Sequence, residues 1–193
     1  TTLGSVHSRP LSLVLDKTGI YFDSTRPSDL ENMLADSSGL ASTDMKARAQ
    51  HCIDLITHLR LSKYNGAASA SALAERNSVY SILVVGQVED DASIVYGCNR
   101  AVTNNDLIRQ ARADYPDARI IFRAHPDVAE GHRQQRSDPA DVISLCEMAN
   151  PGVSLADALE SVDHVYTITS LSGFEALIRG KKVTVLGLPF YSG

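Results

Sequence analysis

From Val79 onward the chain alternates β-type apolar runs with segments of helical period, and this alternation restricts the fold more than any other feature. Val79–Val85 reads as a buried strand ended by Gly86, and Asn104–Tyr115 as a helix with Leu107, Ile108 and Ala111 inward, stopped before Pro116. Arg119–Phe122 follows as a strand, Ala140–Met148 as a helix and Leu155–Leu159 as a short helix. Strand His164–Ile168, helix Gly173–Arg179 and strand Val183–Leu186 complete the series. Strands that alternate with helices imply βαβ crossovers, hence an α/β fold with a Rossmann-like, doubly wound, mainly parallel sheet.

The first third has a different pattern. Leu11–Leu15 and Ile20–Phe22 are short β-type runs around Asp16-Lys-Thr-Gly19, a hairpin-like arrangement. Ser28-Asp-Leu-Glu31 reads as a capping box that opens a helix through about Leu34. A second helix runs from Thr43 to about Leu61, with Met45, Cys52, Ile53, Leu55, Ile56 and Leu59 at helical spacing. The Ser/Ala/Gly/Asn stretch Ser62–Ser71 is the best internal boundary. The expected division is an N-terminal arm over 1–66, a strand pair plus helices packing on the core, and a Rossmann-like domain over 77–193.

Composition narrows the classes of function. The 193 residues suffice for one core with an appended arm. Eighteen basic against 23 acidic residues give a net charge of −5, which argues against a general nucleic-acid or anionic-membrane surface. Cys52, Cys98 and Cys146 are far apart and odd in number, which suits a reducing cytoplasm rather than a disulfide framework or zinc knuckle. No apolar run approaches the roughly 20 residues of a membrane-spanning helix. The chain starts at Thr1 and stops just after an apolar segment, so both ends are expected to lie inside a larger protein.

In doubly wound sheets ligands bind beyond the carboxyl ends of the strands. Three such ends carry polar clusters here. Ser170-Leu-Ser172-Gly173-Phe174-Glu175 opens a helix, and its hydroxyls and free N–H groups suit an anion, with Gly173 allowing close approach. Ser172-x-x-Glu175 is equally readable as a plain capping box. Arg123-Ala-His125-Pro126 offers a permanent charge and an imidazole suited to a phosphate; a surface loop with a solvated histidine is the simpler reading. Gln87-Val-Glu89-Asp90-Asp91-Ala-Ser93 offers a carboxylate that could attack a sugar carbon or take a proton, or else a solvated acidic turn. His132 adds no third ligand at metal-binding spacing, so no metal site is expected.

Gln87-x-x-x-Asp91-x-Ser93, Arg123-x-His125-Pro126 and Thr169-Ser-Leu-Ser-Gly-Phe-Glu-Ala-Leu-Ile-Arg-Gly-Lys181 together resemble the bacterial capsular-polysaccharide β-Kdo glycosyltransferases, the KpsC-like family. Pro10–Asp23, Ser62-Lys63-Tyr64-Asn65 and Gly187–Gly193 carry the resemblance over nearly the whole chain. It implies the donor-binding half of a GT-B-like enzyme that moves β-Kdo (3-deoxy-D-manno-octulosonic acid), with retention, from CMP-Kdo to a phosphatidylglycerol-type lipid-linked acceptor. Within it, Asp91 matches the catalytic carboxylate and His125 the histidine that supports the departing phosphate. Arg123, Ser170 and Ser172 fall to nucleotide binding, Glu175 to the ribose hydroxyls, and Gln87 and Ser93 to positioning Asp91. Lys63, Tyr64 and Asn65 lie in a motif without an assigned role, and whether Glu89 or Asp90 assists Asp91 is open.

The resemblance also implies a cytoplasmic protein, peripheral at the inner face of the inner membrane, with no cofactor beyond the donor substrate and no nucleic-acid partner. The family's acidic motif, whose glutamate is the expected acid/base partner, precedes the segment that is here Leu3-Gly4-Ser5. That motif and the acceptor-side half are expected outside this chain, so the 193 residues alone should bind CMP weakly and not transfer Kdo. Two alternatives stand beside this: another GT-B-type nucleotide-sugar transferase or epimerase, and a non-catalytic Rossmann-like module of the capsule assembly machinery.

Overall fold

The computed structural model describes residues 13–38, 42–63, 79–134 and 136–192. Two helices come first, α1 (Asp29–Ala35) and α2 (Thr43–His58). Then follow β1 (Ser81–Val85), α3 (Ala92–Gly97), α4 (Asn104–Asp114), β2 (Arg119–Arg123), α5 (Pro126–Ala129) and β3 (Glu147–Met148). The chain ends with α6 (Leu155–Glu160), β4 (His164–Thr167), α7 (Leu171–Leu177) and β5 (Lys182–Val185). The strands pair in the order β3-β2-β1-β4-β5, all parallel, in register Leu83↔Ile121 and Leu83↔Val165 at the centre. This is the Rossmann-like doubly wound sheet expected from the alternation.

Side chains of a strand alternate between faces, and β1 shows the consequence. Ile82 and Val84 join Leu107, Ile108 and Ala111 of α4 in one apolar cluster. Leu83 and Val85 join Leu155, Ala158 and Leu159 of α6 and Ala176 of α7 in the other. Both faces are therefore covered, and β1 is buried throughout.

The N-terminal elements attach by polar contacts. Ser24 donates its backbone N–H and its hydroxyl to the Tyr96 carbonyl, at 3.1 and 2.9 Å. Arg60 pairs with Asp157 and Glu160 of α6, and Arg179 donates to the Leu61 carbonyl at 2.8 Å. Helix α2 buries none of its residues, and Met45, Leu55 and Leu59 are exposed. The boundary expected at 62–71 lies, from residue 64 onward, outside the described residues, as do Tyr64 and Asn65.

Two expected elements are absent. No strand forms between residues 13 and 22, so the described part of the hairpin does not exist. Asp16 instead accepts the N–H groups of Thr18 and Gly19 on one oxygen and that of Asp29 on the other. The turn is an Asx turn fastened to the start of α1, and its donors are unavailable to a ladder. The helix expected over Ala140–Met148 is a single 3-10 turn, Pro139–Val142, followed by β3. The Arg112 guanidinium captures the Leu145 carbonyl at 2.9 Å, with those of Pro116 and Ala118. Beyond Val142 the chain extends to pair with β2: Ala149 donates its N–H to the Phe122 carbonyl at 2.8 Å and Glu147 takes the Arg119 guanidinium at 2.6 Å, and this pairing replaces the local helix.

Candidate functional site

The strand order reverses between β1 and β4, and the residues just after these two strands meet there. Gln87, buried beyond β1, bridges them. Its Oε1 accepts the N–H groups of Thr169 (2.8 Å) and Ile168 (3.1 Å) and the Thr167 hydroxyl (3.3 Å). Its Nε2 donates to Thr169 Oγ1 at 3.1 Å. Thr169 Oγ1 lies 3.2 Å from Ser93 Oγ, which lies 2.7 Å from Asp91 Oδ1. Asp91 is the N-cap of α3, accepting the Ser93 N–H at 2.9 Å on that same oxygen. The structure thus brings Gln87, Ser93 and Asp91 into one network with Asp91, exposed, at its outer end.

The three neighbouring acids have separate partners. Glu89 is buried and accepts the Asn104 N–H at 2.6 Å, the Ser137 N–H at 2.8 Å and the Ser137 hydroxyl. Asp90 pairs with Arg133 at 2.9 Å and Arg136 at 3.5 Å, and the Arg133 bond holds its carboxyl below the usual range. The two acids tie Arg133, Arg136 and Ser137 to the strand end. The reading of a solvated acidic turn fails at Glu89, which the sequence could not separate from Asp90 and Asp91.

His125 caps α5 from the end of β2, accepting the Asp127 N–H on Nδ1 at 3.2 Å. An Nδ1 that accepts carries no proton, so the neutral ring bears its hydrogen on Nε2. Burial pushes the ring below the usual histidine range; Asp127 and Asp91 pull it up, Lys63 and Arg133 push it down. Asp91, Lys63 and Arg133 thus each lie within electrostatic reach of His125. Arg123, half-buried, donates to the Val153 carbonyl at 2.6 Å, and burial lowers its pKa. One of its donors is thereby committed to the loop before α6.

At the end of β4 the structure corrects two expectations. Ser170, not Ser172, caps α7, accepting the Ser172 N–H at 3.2 Å, so Ser172-x-x-Glu175 is not the capping box. The two serine hydroxyls lie 3.1 Å apart. Gly173 is glycine for a neighbour's sake: a Cβ there would collide with the Tyr191 ring and lie 3.0 Å from Thr167 Cγ2. Tyr191 donates its hydroxyl to the Ser170 carbonyl, and burial raises its pKa. The space over Gly173 that was read as room for a ligand belongs to Tyr191.

Glu175 faces the other way from a cap. It is buried, its Oε1 accepts the Lys63 N–H at 3.2 Å, and its Oε2 lies 3.9 Å from Arg179. It joins α7 to the end of the N-terminal elements and so sets where Lys63 sits. Thr169, Arg133 and Tyr191 are the candidate site residues that sequence reasoning missed, and Lys63 is one it named without a role. Thr169 and Lys63 stood inside quoted motifs, while nothing local marks Arg133 or Tyr191. Among the described residues no three His, Cys, Asp or Glu side chains are grouped to hold a metal ion, and no helix is long and apolar enough to cross a membrane.

Comparison with known proteins agrees with this architecture. The family model described as capsule polysaccharide biosynthesis protein matches residues 6–193. The lipopolysaccharide-processing protein LpsZ of Rhizobium meliloti is 50% identical over 192 residues, which are 99% of this chain and 44% of LpsZ. The capsule polysaccharide modification protein LipA of Neisseria meningitidis serogroup B is 42% identical over 99% of this chain and 27% of LipA. Among solved structures, the β-Kdo 2,4 transferase of Thermosulfurimonas dismutans KpsC superposes with TM-score 0.79 at 30% identity, over 97% of this chain and 58% of that one. The β-Kdo 2,7 transferase of the same KpsC gives TM-score 0.74 at 35% identity, over 92% and 53%. The chain thus spans less than half the length of these two curated relatives.

Proposed function

The chain belongs to the capsule polysaccharide biosynthesis protein family, of KpsC-like Kdo-transferase architecture, and from that premise we propose that it forms the donor-side half of a retaining β-Kdo transferase using CMP-Kdo. The observation that carries the reading is Asp91, exposed at the strand-order reversal with one oxygen held by Ser93, within electrostatic reach of His125.

Retention requires two displacements. Asp91 attacks the anomeric carbon of Kdo, and the bond to the CMP phosphate oxygen breaks with its electron pair. Charge that develops on the departing phosphate is met by His125 Nε2–H, by the Ser170 and Ser172 hydroxyls, and by the cations Lys63 and Arg133. An acceptor hydroxyl on a lipid-linked saccharide then displaces the carboxylate, its proton going to a base supplied by the remainder of a longer protein. The reading makes the enzyme a peripheral one at the cytoplasmic membrane face, with no resident cofactor. His125 neutral near pH 7 suits it as a hydrogen-bond donor that needs no net charge.

A thermal-shift titration tests the donor. CMP at about 100 times its Kd should stabilise by ~2.7 kcal/mol, and Tm should rise by about 5–10 °C. UDP should do much less, and an equal shift with UDP overturns the nucleotide assignment. The 193 residues alone should give no transfer; Kdo transfer by them refutes the assignment of essential groups to the remainder.

A further inference from the structure

We propose that Thr169 is a positioning residue that fixes which oxygen of Asp91 reacts; this rests on reading Asp91 as the nucleophile. The argument starts at Gln87. Its amide oxygen must be the atom facing the N–H groups of Ile168 and Thr169, because a backbone N–H can only donate. The amide nitrogen therefore faces Thr169 Oγ1 and donates to it at 3.1 Å. With a donor already arriving, the hydroxyl hydrogen of Thr169 goes on to Ser93 Oγ at 3.2 Å, and that of Ser93 to Asp91 Oδ1 at 2.7 Å. Only this direction satisfies every member.

The relay ends on one oxygen. Asp91 Oδ1 takes both the hydroxyl and the N–H of Ser93, while Oδ2 has no donor among the described residues. Oδ2 is thus the oxygen presented to the anomeric carbon. Aligned hydrogen bonds polarise one another, so loss of one link weakens those downstream.

The methyl of Thr169 is as confined as its hydroxyl. A Cβ at Gly97 would come within 2.9 Å of Thr169 Cγ2, and one at Gly187 within 2.5 Å. The methyl sits between two glycines, one leading out of α3 and one following β5, and this fixes χ1 so that Oγ1 lies between Gln87 and Ser93. Gly97 and Gly187, far apart in sequence, are in this sense part of the site.

The test has two arms. Crystal structures of this chain with Thr169→Val and Thr169→Ser read the carboxylate directly. The valine variant should free Ser93 Oγ and leave Asp91 in more than one rotamer; the serine variant should restore the wild-type rotamer as the major one. A single wild-type Asp91 conformer in the valine variant overturns the proposal. In the full-length transferase, Thr169→Val should lower kcat by roughly 10- to 100-fold, donor KM changing by less than about twofold, and Thr169→Ser should recover most of the loss. A change confined to KM overturns it. Asp91→Asn separates the two readings: if it retains transfer, the nucleophile assignment falls, and the crystal arm still decides whether Thr169 positions Asp91.

Discussion

The end of the sheet away from the site holds a buried histidine whose titration should dominate the acid stability of the fold. His164 on β4 is fully buried, with ring centroids 4.7 Å from Tyr166, 5.4 Å from Tyr115 and 6.4 Å from Tyr80. Its Nε2 lies 2.9 Å from Thr184 Oγ1, and its Nδ1 has no hydrogen-bond partner among the described residues. Burial pushes its pKa down to about 4; the Lys182 charge adds to this, and Asp114 opposes it. A depressed histidine pKa means that the native state binds fewer protons than the unfolded chain. Stability is therefore complete above the unfolded value of about 6.5 and is lost as pH falls toward 4. A displacement of about 2.5 units at 1.36 kcal/mol each amounts to roughly 3 kcal/mol, a large part of the 5–15 kcal/mol typical of a domain. Urea unfolding followed by circular dichroism at pH 7.5, 6, 5 and 4 reads this loss. His164→Phe keeps the ring packing, removes the orphaned Nδ1 and loses the Thr184 bond, so at pH 7.5 it should lie within about 1 kcal/mol of wild type. At pH 4 it should be the more stable protein by about 2–3 kcal/mol, because carboxylates titrate alike in both. Parallel stability curves for the two proteins across this range would refute the reasoning.

Three further outcomes concern contacts that shape the site. Glu89→Ala orphans the Asn104 and Ser137 donors and should cost about 2–3 kcal/mol, with faster amide exchange at Ser137 and Asp138 seen by mass spectrometry. Unchanged exchange there would remove Glu89 as the clamp of that segment. Gly173→Ala forces the Tyr191 ring away and should cost about 1–3 kcal/mol in a thermal melt; adding Tyr191→Ala should recover part of the loss if the collision is the cause. Arg133→Ala breaks an exposed pair with Asp90 and should change stability by less than about 1 kcal/mol while weakening CMP binding. Equal CMP affinity in this variant would take Arg133 out of the donor site.

Period and punctuation carried the sheet. β1, β2, β4 and β5 lie where apolar runs and glycines place them, and α1 begins on the Ser28–Glu31 capping box that the sequence spells out. The failures share one cause, a long-range partner that takes the backbone group a local pattern needs. Asp29 and Asp16 take the donors of the expected hairpin turn, and β2 pairs with Glu147 and Met148, where the expected helix would end. The same holds in the site. Asp91, His125 and the Ser170–Ser172 turn were legible because each sits directly after a strand. Tyr191 filling the space over Gly173, and Glu175 reaching the Lys63 N–H, were not, because each contact depends on a segment distant in sequence.

The strand order explains why those distant residues form a site at all. With β1 and β4 adjacent and their crossovers on opposite faces, the segments leaving them diverge above Gln87 and Thr169, where ligands of doubly wound sheets bind. A carboxylate placed there by a flexible side chain alone would have several orientations. Gln87 joins the two strand ends with bonds to three residues of the β4 end, and the Thr169–Ser93 link extends that rigidity to Asp91. The charges lie on the more exposed side, where Asp91, Lys63 and Arg133 each act on His125. Hydrogen bonds thus fix the geometry from beneath, and cations set the field from above. On the proposed reading, a chain of net charge −5 can still meet an anionic donor there, because two of the three neighbouring acids, Glu89 and Asp90, are already committed to other partners.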